Sequence, residues 1–352
     1  MKIGGKIREW YKKNKRELPW RDITDPYRVW ISEVILQQTR VNQGLAYYLR
    51  FIAAFPDVHS LAGAGEDEVL KLWQGLGYYN RARNLHRGAR EILSERNGVL
   101  PASYEEWLEV KGVGPYTASA IASVCFGEPR AVVDGNVSRV IARMYGLEVA
   151  INSSRGEKQV ATLAGELMDP GDPGTHNQAM MEFGAMQCIP VSPECRICPV
   201  MEECNAFRNG RVDRLPVKLP KKKPVEWYIY YYMMAKGRES ILMRRGNGDI
   251  WRSLYQFPAV ESPVPLSDEE LLGPRLREML KDVPEKKINI QKVSDPIRHQ
   301  LTHRIIYARF IHLETGQWPR PLPAGWIPIL RDHLDDFPVP RLINRYMEVV
   351  NF

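Results

Sequence analysis

The sequence predicts two structural regions, a mainly α-helical N-terminal part and a separate α+β domain at the C-terminal end. Apolar residues recur at helical spacing through most of the first two-thirds of the 352-residue chain. The last third instead contains short β-branched and aromatic runs, VEWYIYYYMM, ILMRR and RIIYARFIHLE, separated by Gly, Asn and Asp clusters. Residues 211–225 lie between the two regions and contain three prolines, a composition typical of an extended linker.

The charge of the chain indicates a polyanionic partner. The formal net charge is +7 and the sequence pI is about 9.1, which favours binding to nucleic acid. The segment around the linker contains a single acid, Asp213, and seven basic residues: Arg208, Arg211, Arg214, Lys218, Lys221, Lys222 and Lys223. The chain has no apolar stretch of membrane-spanning length, and its start, MKIGGKIREW, lacks the apolar core of a signal peptide. We therefore expect a cytoplasmic protein.

The segment DPYRVWISEVILQQTR, residues 25–40, predicts the first functional helix. Asp25 is a good N-cap and Pro26 suits the first helical turn. Glu33 falls on the same side of this helix as Trp30. Partial desolvation beside an aromatic ring would raise the pKa of a glutamate toward that of a general acid. Periodicity alone favours a solvated helix glutamate.

Two further segments predict helix starts. In EVKGVGPYTASAI, residues 109–121, Gly112 and Gly114 permit a tight turn and Pro115 begins a new helix, whose free N–H groups form an anion site. This pattern predicts a helix–hairpin–helix that binds a DNA phosphate, although GVG alone occurs in many turns. Asp134 begins DGNVSRVIARM, where it is a predicted N-cap with a depressed pKa.

Four of the five cysteines lie within seventeen residues, with the spacing C-x6-C-x2-C-x5-C. A cytoplasmic chain argues against disulfides. Structural zinc sites usually use two close pairs of ligands separated by a longer loop, whereas four thiolates are what a [4Fe–4S] cluster requires. The cluster is therefore preferred and zinc stays open as the alternative. The ligands are Cys188, Cys195, Cys198 and Cys204. Cys125, in an apolar run, is expected to be a buried structural residue.

Taken together, these motifs resemble the endonuclease III-like helix–hairpin–helix DNA glycosylases and, within that superfamily, the MutY-type adenine DNA glycosylases. The segments that carry the resemblance are LPWR, DPYRVWISEVILQQTR, GLGYYNRARNL, VKGVGPYTA, AVVDGNVSRV, NQAMMEFGAMQC, WRSLYQFP and HQLTHR. The resemblance implies a mainly α glycosylase domain with a [4Fe–4S] cluster loop, followed by an α+β Nudix-like domain.

The resemblance also implies domain boundaries. Residues 1–210 form the catalytic region, residues 211–225 the linker and residues 226–352 the Nudix-like domain. The catalytic region is expected to divide into a six-helix module at about 20–130, with its hairpin at 107–121, and a cluster module from 1–19 and 131–210. The segment LLGPRLREMLKD lacks the glutamate cluster by which Nudix hydrolases bind magnesium, so we expect this domain to bind without hydrolysing.

By the same resemblance, Glu33 is the catalytic acid and Asp134 the second carboxylate, which stabilises the cationic sugar or bonds to it transiently. Asn136 and Tyr116 support them. Tyr116 stands where the bifunctional branch has the lysine that forms a Schiff base, and a phenol cannot form an imine. The resemblance therefore implies a monofunctional glycosylase that uses water as its final nucleophile.

The remaining functional residues follow from the same resemblance. The adenine pocket, in which Glu182 is expected to accept from the exocyclic amine, comprises Arg16, Leu18, Trp20, Arg21 and Glu182. Contacts to DNA and to the base opposite adenine are assigned to Leu36, Gln37, Gln38, Thr39, Arg40, Tyr78, Gly112, Gly114, Thr302 and His303. Tyr78 is expected to insert into the base stack, and Thr302 and His303 to contact 8-oxoguanine.

We therefore hypothesise a monomeric enzyme that excises adenine opposite 8-oxoguanine or G from double-stranded DNA, associated with the bacterial nucleoid when bound. A related glycosylase/AP lyase or a mismatch thymine glycosylase is the first alternative; Tyr116 disfavours the lyase, and the extra C-terminal domain disfavours both. A non-catalytic Fe–S protein that binds DNA is the second, and it would leave Glu33 and Asp134 dispensable.

Overall fold

The computed structural model describes residues 3–220, 223–350 and 352. The chain divides into two compact units, residues 1–63 with 84–220 and residues 64–83 with 221–352. The first is helical and the second α+β, which confirms the predicted fold classes. Of the predicted linker, Lys221 and Lys222 lie outside the described residues. Each helix in the described ranges is too short or too polar to cross a membrane.

Helices account for nearly all the regular structure between residues 3 and 208. Their bounds are α1 (Ile3–Asn14), α2 (Pro26–Leu36), α3 (Val41–Ala54), α4 (Val58–Gly63), α5 (Glu66–Trp73), α6 (Asn80–Arg96), α7 (Tyr104–Glu109), α8 (Pro115–Phe126), α9 (Gly135–Tyr145), α10 (Ser154–Leu167), α11 (Pro173–Met186) and α12 (Asn205–Arg208). Helix α11 is central to the first unit because it packs against α1, α8 and α9. A core containing Ile7, Val140, Val160 and Phe183 joins α1 to α9, α10 and α11.

Helix α2 begins as the sequence predicts but ends earlier. The Asp25 carboxylate accepts hydrogen bonds from the backbone N–H groups of Tyr27 and Arg28, and Pro26 occupies the first turn. The predicted helix extended to residue 40, which is wrong. Gln37 has left the helical conformation with ψ 114°, and Gln38 adopts a left-handed φ of 56°, so the residues after Leu36 form a turn.

The predicted helix–hairpin–helix is confirmed by α7 and α8. Gly112 has a φ of +82°, and a Cβ atom there would lie 2.4 Å from Cβ of Asn84. Only glycine fits both conditions. Gly114 is the N-cap of α8 and Pro115 its first residue, so the first N–H groups of α8 have no partners within the helix.

The second unit is built on a mixed sheet with helices on both faces. The strands are β1 (Val225–Lys236), β2 (Glu239–Arg244), β3 (Tyr255–Gln256), β4 (Ala259–Ser262), β5 (Ile288–Val293), β6 (Ile297–Gln300), β7 (Arg304–Thr315) and β8 (Trp326–Leu330). Their main order is β3-β2-β1-β7-β5, with β4 on β1, β6 on β7 and β8 on β2. The long pair β1 and β7 is parallel, in register from Val225 opposite Arg304, and the other pairs are antiparallel.

Two short helices, α13 (Asp268–Glu270) and α14 (Leu276–Met279), are joined by a π-helical turn at Leu271–Arg275. Their apolar side chains pack on Tyr230 and Tyr232 of β1. The last helix is α15 (Arg341–Met347). Its Tyr346 ring stacks on Phe310 of β7 at 3.7 Å between centroids. Helical segments therefore cover both faces of the sheet.

Residues 64–83 fold with this sheet although they precede it by more than a hundred residues. The Tyr255 hydroxyl donates to the Asp67 carboxylate at 2.8 Å, and the Tyr79 hydroxyl donates to the Val339 carbonyl at 3.3 Å. Helix α5 and the turn that follows it are thus held by C-terminal residues.

The hairpin supports a stability prediction. Gly112→Ala should lower the free energy of unfolding by about 1–3 kcal/mol, because alanine is strained at this φ and meets Asn84. Gly165→Ala is the matched control. Gly165 lies in α10 with open space around its Cβ position, so alanine should be neutral or stabilising by up to about 1 kcal/mol. Urea denaturation of both variants checks this, and equal effects would contradict the role of Gly112.

Candidate active site

A cavity of about 420 Å³ in the first unit collects most of the candidate residues. Its walls come from α2, α8, α9, α11 and the loop after α1. It is lined by every residue assigned to catalysis or to the adenine pocket: Arg16, Leu18, Trp20, Arg21, Glu33, Tyr116, Asp134, Asn136 and Glu182. Residues that are up to 166 positions apart in sequence therefore share one enclosed space.

Glu33 projects from α2 into this cavity. Burial, the largest cause, raises the pKa of Glu33 to about 7, and the nearby negative charge of Asp134 adds to the increase. A hydrogen bond donated by the Tyr116 hydroxyl and the charge of Arg21 act in the opposite direction. Because the desolvation effect is larger, Glu33 carries a proton over much of the neutral range and is able to donate it.

Asp134 is the N-cap of α9, as predicted. Its Oδ1 accepts from the Val137 N–H at 2.7 Å and its Oδ2 from the Asn136 side-chain amide at 2.9 Å. The prediction of a depressed pKa is wrong. Burial raises the pKa of Asp134 above its ordinary value and outweighs the hydrogen bonds from Val137 and Asn136, which lower it. Glu33 and Asp134 are therefore both in surroundings that disfavour their charged forms.

Helix α9 also connects the cavity to the cysteine loop. Arg139 donates to the Asn136 side-chain oxygen at 3.0 Å and to the Cys188 carbonyl at 2.8 Å. A Cβ atom at Gly184 of α11 would lie 2.7 Å from Cβ of Asn136, so the absence of a side chain there lets the two helices approach closely. Asn136 thus lies between the Asp134 carboxylate and an arginine bound to the loop.

Glu182 is the most deeply buried acid of the cavity wall, with 1% of its surface exposed. Its Oε1 accepts from the Arg16 backbone N–H and Nε at 3.0 and 2.9 Å. Its Oε2 accepts from Arg16 Nη2 and Arg21 Nη2 at 2.6 and 2.7 Å. Burial alone would raise the pKa of Glu182, but the two arginines outweigh it and the pKa lies below the ordinary value.

The four hydrogen bonds fill the acceptor sites of this carboxylate, since a carboxylate has about four lone-pair sites. Adenine's exocyclic amine can therefore bind Glu182 only if one of the arginine hydrogen bonds is given up.

The sequence analysis missed Gln178, which also lines the cavity. Its side-chain oxygen accepts a hydrogen bond from the Tyr11 hydroxyl at 2.8 Å. The available signal was its position four residues before Glu182 in a region of helical spacing, because residues i and i+4 share a helix face. Asn177, beside it, also lines the cavity, and its buried amide donates to the Ser123 hydroxyl and to the Arg130 carbonyl.

The residues assigned to DNA contact after α2 separate into two groups. Leu36, Thr39 and Arg40 line the cavity itself. Gln37 donates from its side chain to the Thr117 hydroxyl at 3.2 Å. Gln38 is exposed and has a positive φ of 56°. Such a strained residue at a turn beside a cavity is common at binding surfaces.

Two other predicted contacts meet in the second unit. Tyr78, which is 50% exposed, shares a hydrogen bond of 2.9 Å between its hydroxyl and that of Thr302. Tyr79 is buried, so the neighbouring tyrosines have different roles. Thr302 and His303 are exposed in the turn between β6 and β7. The structure therefore brings Tyr78 together with the predicted 8-oxoguanine loop.

The four clustered cysteines surround a second, much smaller cavity of about 30 Å³: Cys188, Cys195, Cys198 and Cys204. They form no disulfide. Among the described residues, no three Cys, His, Asp or Glu side chains are grouped as ligands of a single metal ion. Arg143 adds a positive charge, 3.5 Å from the Cys188 sulfur. Four thiols around one space, with a guanidinium beside them, fit an Fe–S cluster.

Comparison with known proteins gives two family matches. Residues 31–167 match the HhH-GPD superfamily of base excision DNA repair proteins, and residues 229–349 match the NUDIX domain. The chain is 33% identical over 304 residues to an adenine DNA glycosylase of Buchnera aphidicola, covering 86% of this chain and 83% of that protein. It is 43% identical over 220 residues to the human adenine DNA glycosylase, covering 60% of this chain and 40% of that protein.

Solved structures show the same helical fold. A thermostable thymine-DNA glycosylase superposes with a TM-score of 0.55 at 28% identity, covering 59% of this chain and 95% of that chain. Endonuclease III in a non-covalent complex with DNA superposes with a TM-score of 0.51 at 22% identity, covering 59% and 94%.

The pKa of Glu33 generates a stability prediction. A carboxyl group with a raised pKa in the folded protein binds its proton more tightly than in the unfolded chain. Stability is therefore lost as the pH rises from the ordinary value of 4.5 to about 7. Each unit of pKa difference corresponds to about 1.4 kcal/mol. The free energy of unfolding of Glu33→Gln should therefore exceed that of wild type by about 2–4 kcal/mol at pH 8 and be almost equal to it at pH 4.5. Denaturation at a series of pH values checks this, and a constant difference would contradict it.

Proposed function

Since the chain belongs to the adenine DNA glycosylase family of HhH-GPD base excision repair proteins, we propose that it hydrolyses the N-glycosidic bond of adenine paired with 8-oxoguanine or G. The observation that carries the proposal is the pair of carboxyl groups, Glu33 and Asp134, in one cavity with Tyr116 and Arg21. Adenine reaches this cavity by being flipped out of double-stranded DNA.

The two carboxyl groups have different partners and so suit different roles. Glu33, whose pKa is raised to about 7, donates a proton to the departing base. Asp134 keeps two hydrogen bonds to its oxygens, from Val137 and Asn136, and these favour its charged form. Its charge stabilises the cationic sugar that develops as the bond breaks. Water then completes the reaction.

Tyr116 supports a monofunctional enzyme. Its hydroxyl lies near Glu33 and Asp134, and burial raises its pKa well above the ordinary value, so it keeps its proton. No lysine is among the described residues that line the cavity. In a lyase, an amine captures the sugar covalently and strand cleavage follows. None of the described residues that line this cavity supplies a lysine amine for that step.

Binding to damaged DNA uses residues outside the cavity. The hairpin at Gly112–Gly114 presents the free N–H groups of α8 to a phosphate. Tyr78 and Thr302, which are hydrogen-bonded to each other, contact the strand opposite adenine, and His303 joins them. The Nudix-like domain contributes this recognition without hydrolysing a nucleotide. We further propose that the protein acts as a monomer in the cytoplasm.

The cofactor is proposed to be one [4Fe–4S] cluster held by Cys188, Cys195, Cys198 and Cys204. When bound, such a cluster supplies a rigid core for the loop and a centre able to exchange electrons. Hydrogen bonds within the protein also hold the loop: Arg143 donates to the Ile189 and Pro190 carbonyls at 2.7 and 2.9 Å. The excision reaction passes through the carboxyl groups alone.

The main test replaces the two carboxyl groups. Glu33→Gln and Asp134→Asn should each lower excision of adenine at least about 100-fold, because general acid catalysis and an oriented charge are each worth about that much or more. Both variants should bind the duplex as wild type does. Single-turnover rates and gel-shift titrations at one salt concentration measure the two effects. Glu157→Gln, an exposed residue of α10, is the matched control and should be unchanged.

Substrates in the same assay separate the alternatives. Duplexes with adenine opposite 8-oxoguanine, adenine opposite G and thymine opposite G are compared with and without alkali. Release of thymine would favour the thymine glycosylase, and strand cleavage without alkali would favour the lyase. Full excision activity in Glu33→Gln would contradict the role of Glu33 as the proton donor.

The cofactor proposal makes a prediction of composition. The purified protein should be yellow-brown and contain about four irons and four sulfides per chain. Cys198→Ser should lose most of both, whereas Cys125→Ser, in α8 and outside the cysteine cavity, should keep them. A colourless wild type that contains zinc and is fully active would contradict the cluster.

A further inference from the structure

Tyr11 contacts the adenine pocket without belonging to it. This residue lies on α1 and is 2% exposed. Arg21 Nη1 donates to the Tyr11 hydroxyl oxygen at 2.8 Å, and the hydroxyl donates to the Gln178 side-chain oxygen at 2.8 Å. One buried hydroxyl therefore joins an arginine bound to Glu182 with a glutamine of the cavity wall.

The direction of each hydrogen bond follows from the groups involved. A guanidinium has donors and no acceptor, so Tyr11 must accept from Arg21. The single hydroxyl proton is then free to point at Gln178, whose oxygen must accept it. Burial raises the pKa of Tyr11, which keeps this proton in place. The NH₂ end of the Gln178 amide is the end that remains for the cavity.

The neighbouring acid strengthens this assignment. All acceptor sites of Glu182 are occupied by Arg16 and Arg21, as counted above. Since the Gln178 oxygen faces Tyr11, the NH₂ group of its amide is the donor that this wall of the cavity offers to a bound base. Adenine has acceptors at its ring nitrogens and a donor at its exocyclic amine, so the wall matches the ring nitrogens.

We propose that Tyr11 is a positioning residue that fixes the Gln178 amide with its NH₂ group facing the cavity, so that the pocket donates to a ring nitrogen of adenine. The proposal rests on the proposed function, since it deepens how adenine is selected. Without the hydroxyl, the amide is able to turn and to present its oxygen to the ring nitrogen, which repels it.

The test uses free adenine, the product of the reaction, as the probe. Tyr11→Phe should weaken adenine binding, measured by calorimetry, about 3- to 10-fold, the usual effect of one hydrogen bond. The affinity for duplex DNA and the pH midpoint of the single-turnover rate should be unchanged, because the phosphate contacts and Glu33 are intact. Tyr27→Phe is the matched control. It removes another buried hydroxyl, bonded to the Phe55 carbonyl at 2.8 Å, and should leave adenine binding unchanged.

A double-mutant cycle shows whether Tyr11 acts through Gln178. Gln178→Met should weaken adenine binding, and adding Tyr11→Phe to it should have no further effect. Independent, multiplying effects would overturn the proposal, as would equal losses in Tyr11→Phe and Tyr27→Phe.

Gln178→Glu covers the case in which Tyr11→Phe does not fold. Its carboxylate still accepts from Tyr11 but has no NH₂ group, so binding should weaken as much or more, and unchanged binding would overturn the proposal. Calorimetry needs no turnover. If the wild type binds adenine but releases none from DNA, the proposed function fails while the role of Tyr11 is still decided.

Discussion

The partial desolvation of the Glu33 carboxyl group is the constraint on which the site in the first unit depends. A glutamate in water is ionised at neutral pH and has no proton to donate. Burial in the cavity raises the pKa of Glu33 to about 7, and that burial requires α2, α8, α9 and α11 to close around it. The aromatic core beneath α2, in which Trp30 packs edge-on against Trp107 at 5.3 Å, holds this wall in place.

Helix α9 makes two distant features mechanically dependent on each other. Asp134 caps its start, and its second turn holds Arg139 and its last turn Arg143, whose side chains bond the carbonyls and the sulfur of the cysteine loop. Hydrogen bonds through Arg139 therefore link the loop to Asn136 and, through it, to the Asp134 carboxylate.

Sequence reasoning located features whose cause is local. The caps at Asp25 and Asp134 and the hairpin glycines depend on nearby backbone, and all were predicted from short segments. The shift in the pKa of Asp134 was predicted with the wrong sign, because a capping motif reveals the hydrogen bonds but not how deeply the group is buried. The saturation of Glu182 was also inaccessible, since it requires the loop after α1 to pack on α11. Gln178 was overlooked although it lies one helical turn before Glu182. The resemblance to a family supplied the roles that periodicity left open.

The membership of residues 64–83 in the second unit has a consequence for how the chain is made. This segment leaves the ribosome long before Tyr255 and Val339, to which Asp67 and Tyr79 are bonded. Domains usually fold in order during synthesis, but here a stretch of the N-terminal sequence waits until its partners, as far along the chain as Val339, have been translated. Translation past Val339, and not completion of the helical region, therefore precedes the moment at which α5 and the turn carrying Tyr78 acquire their final partners.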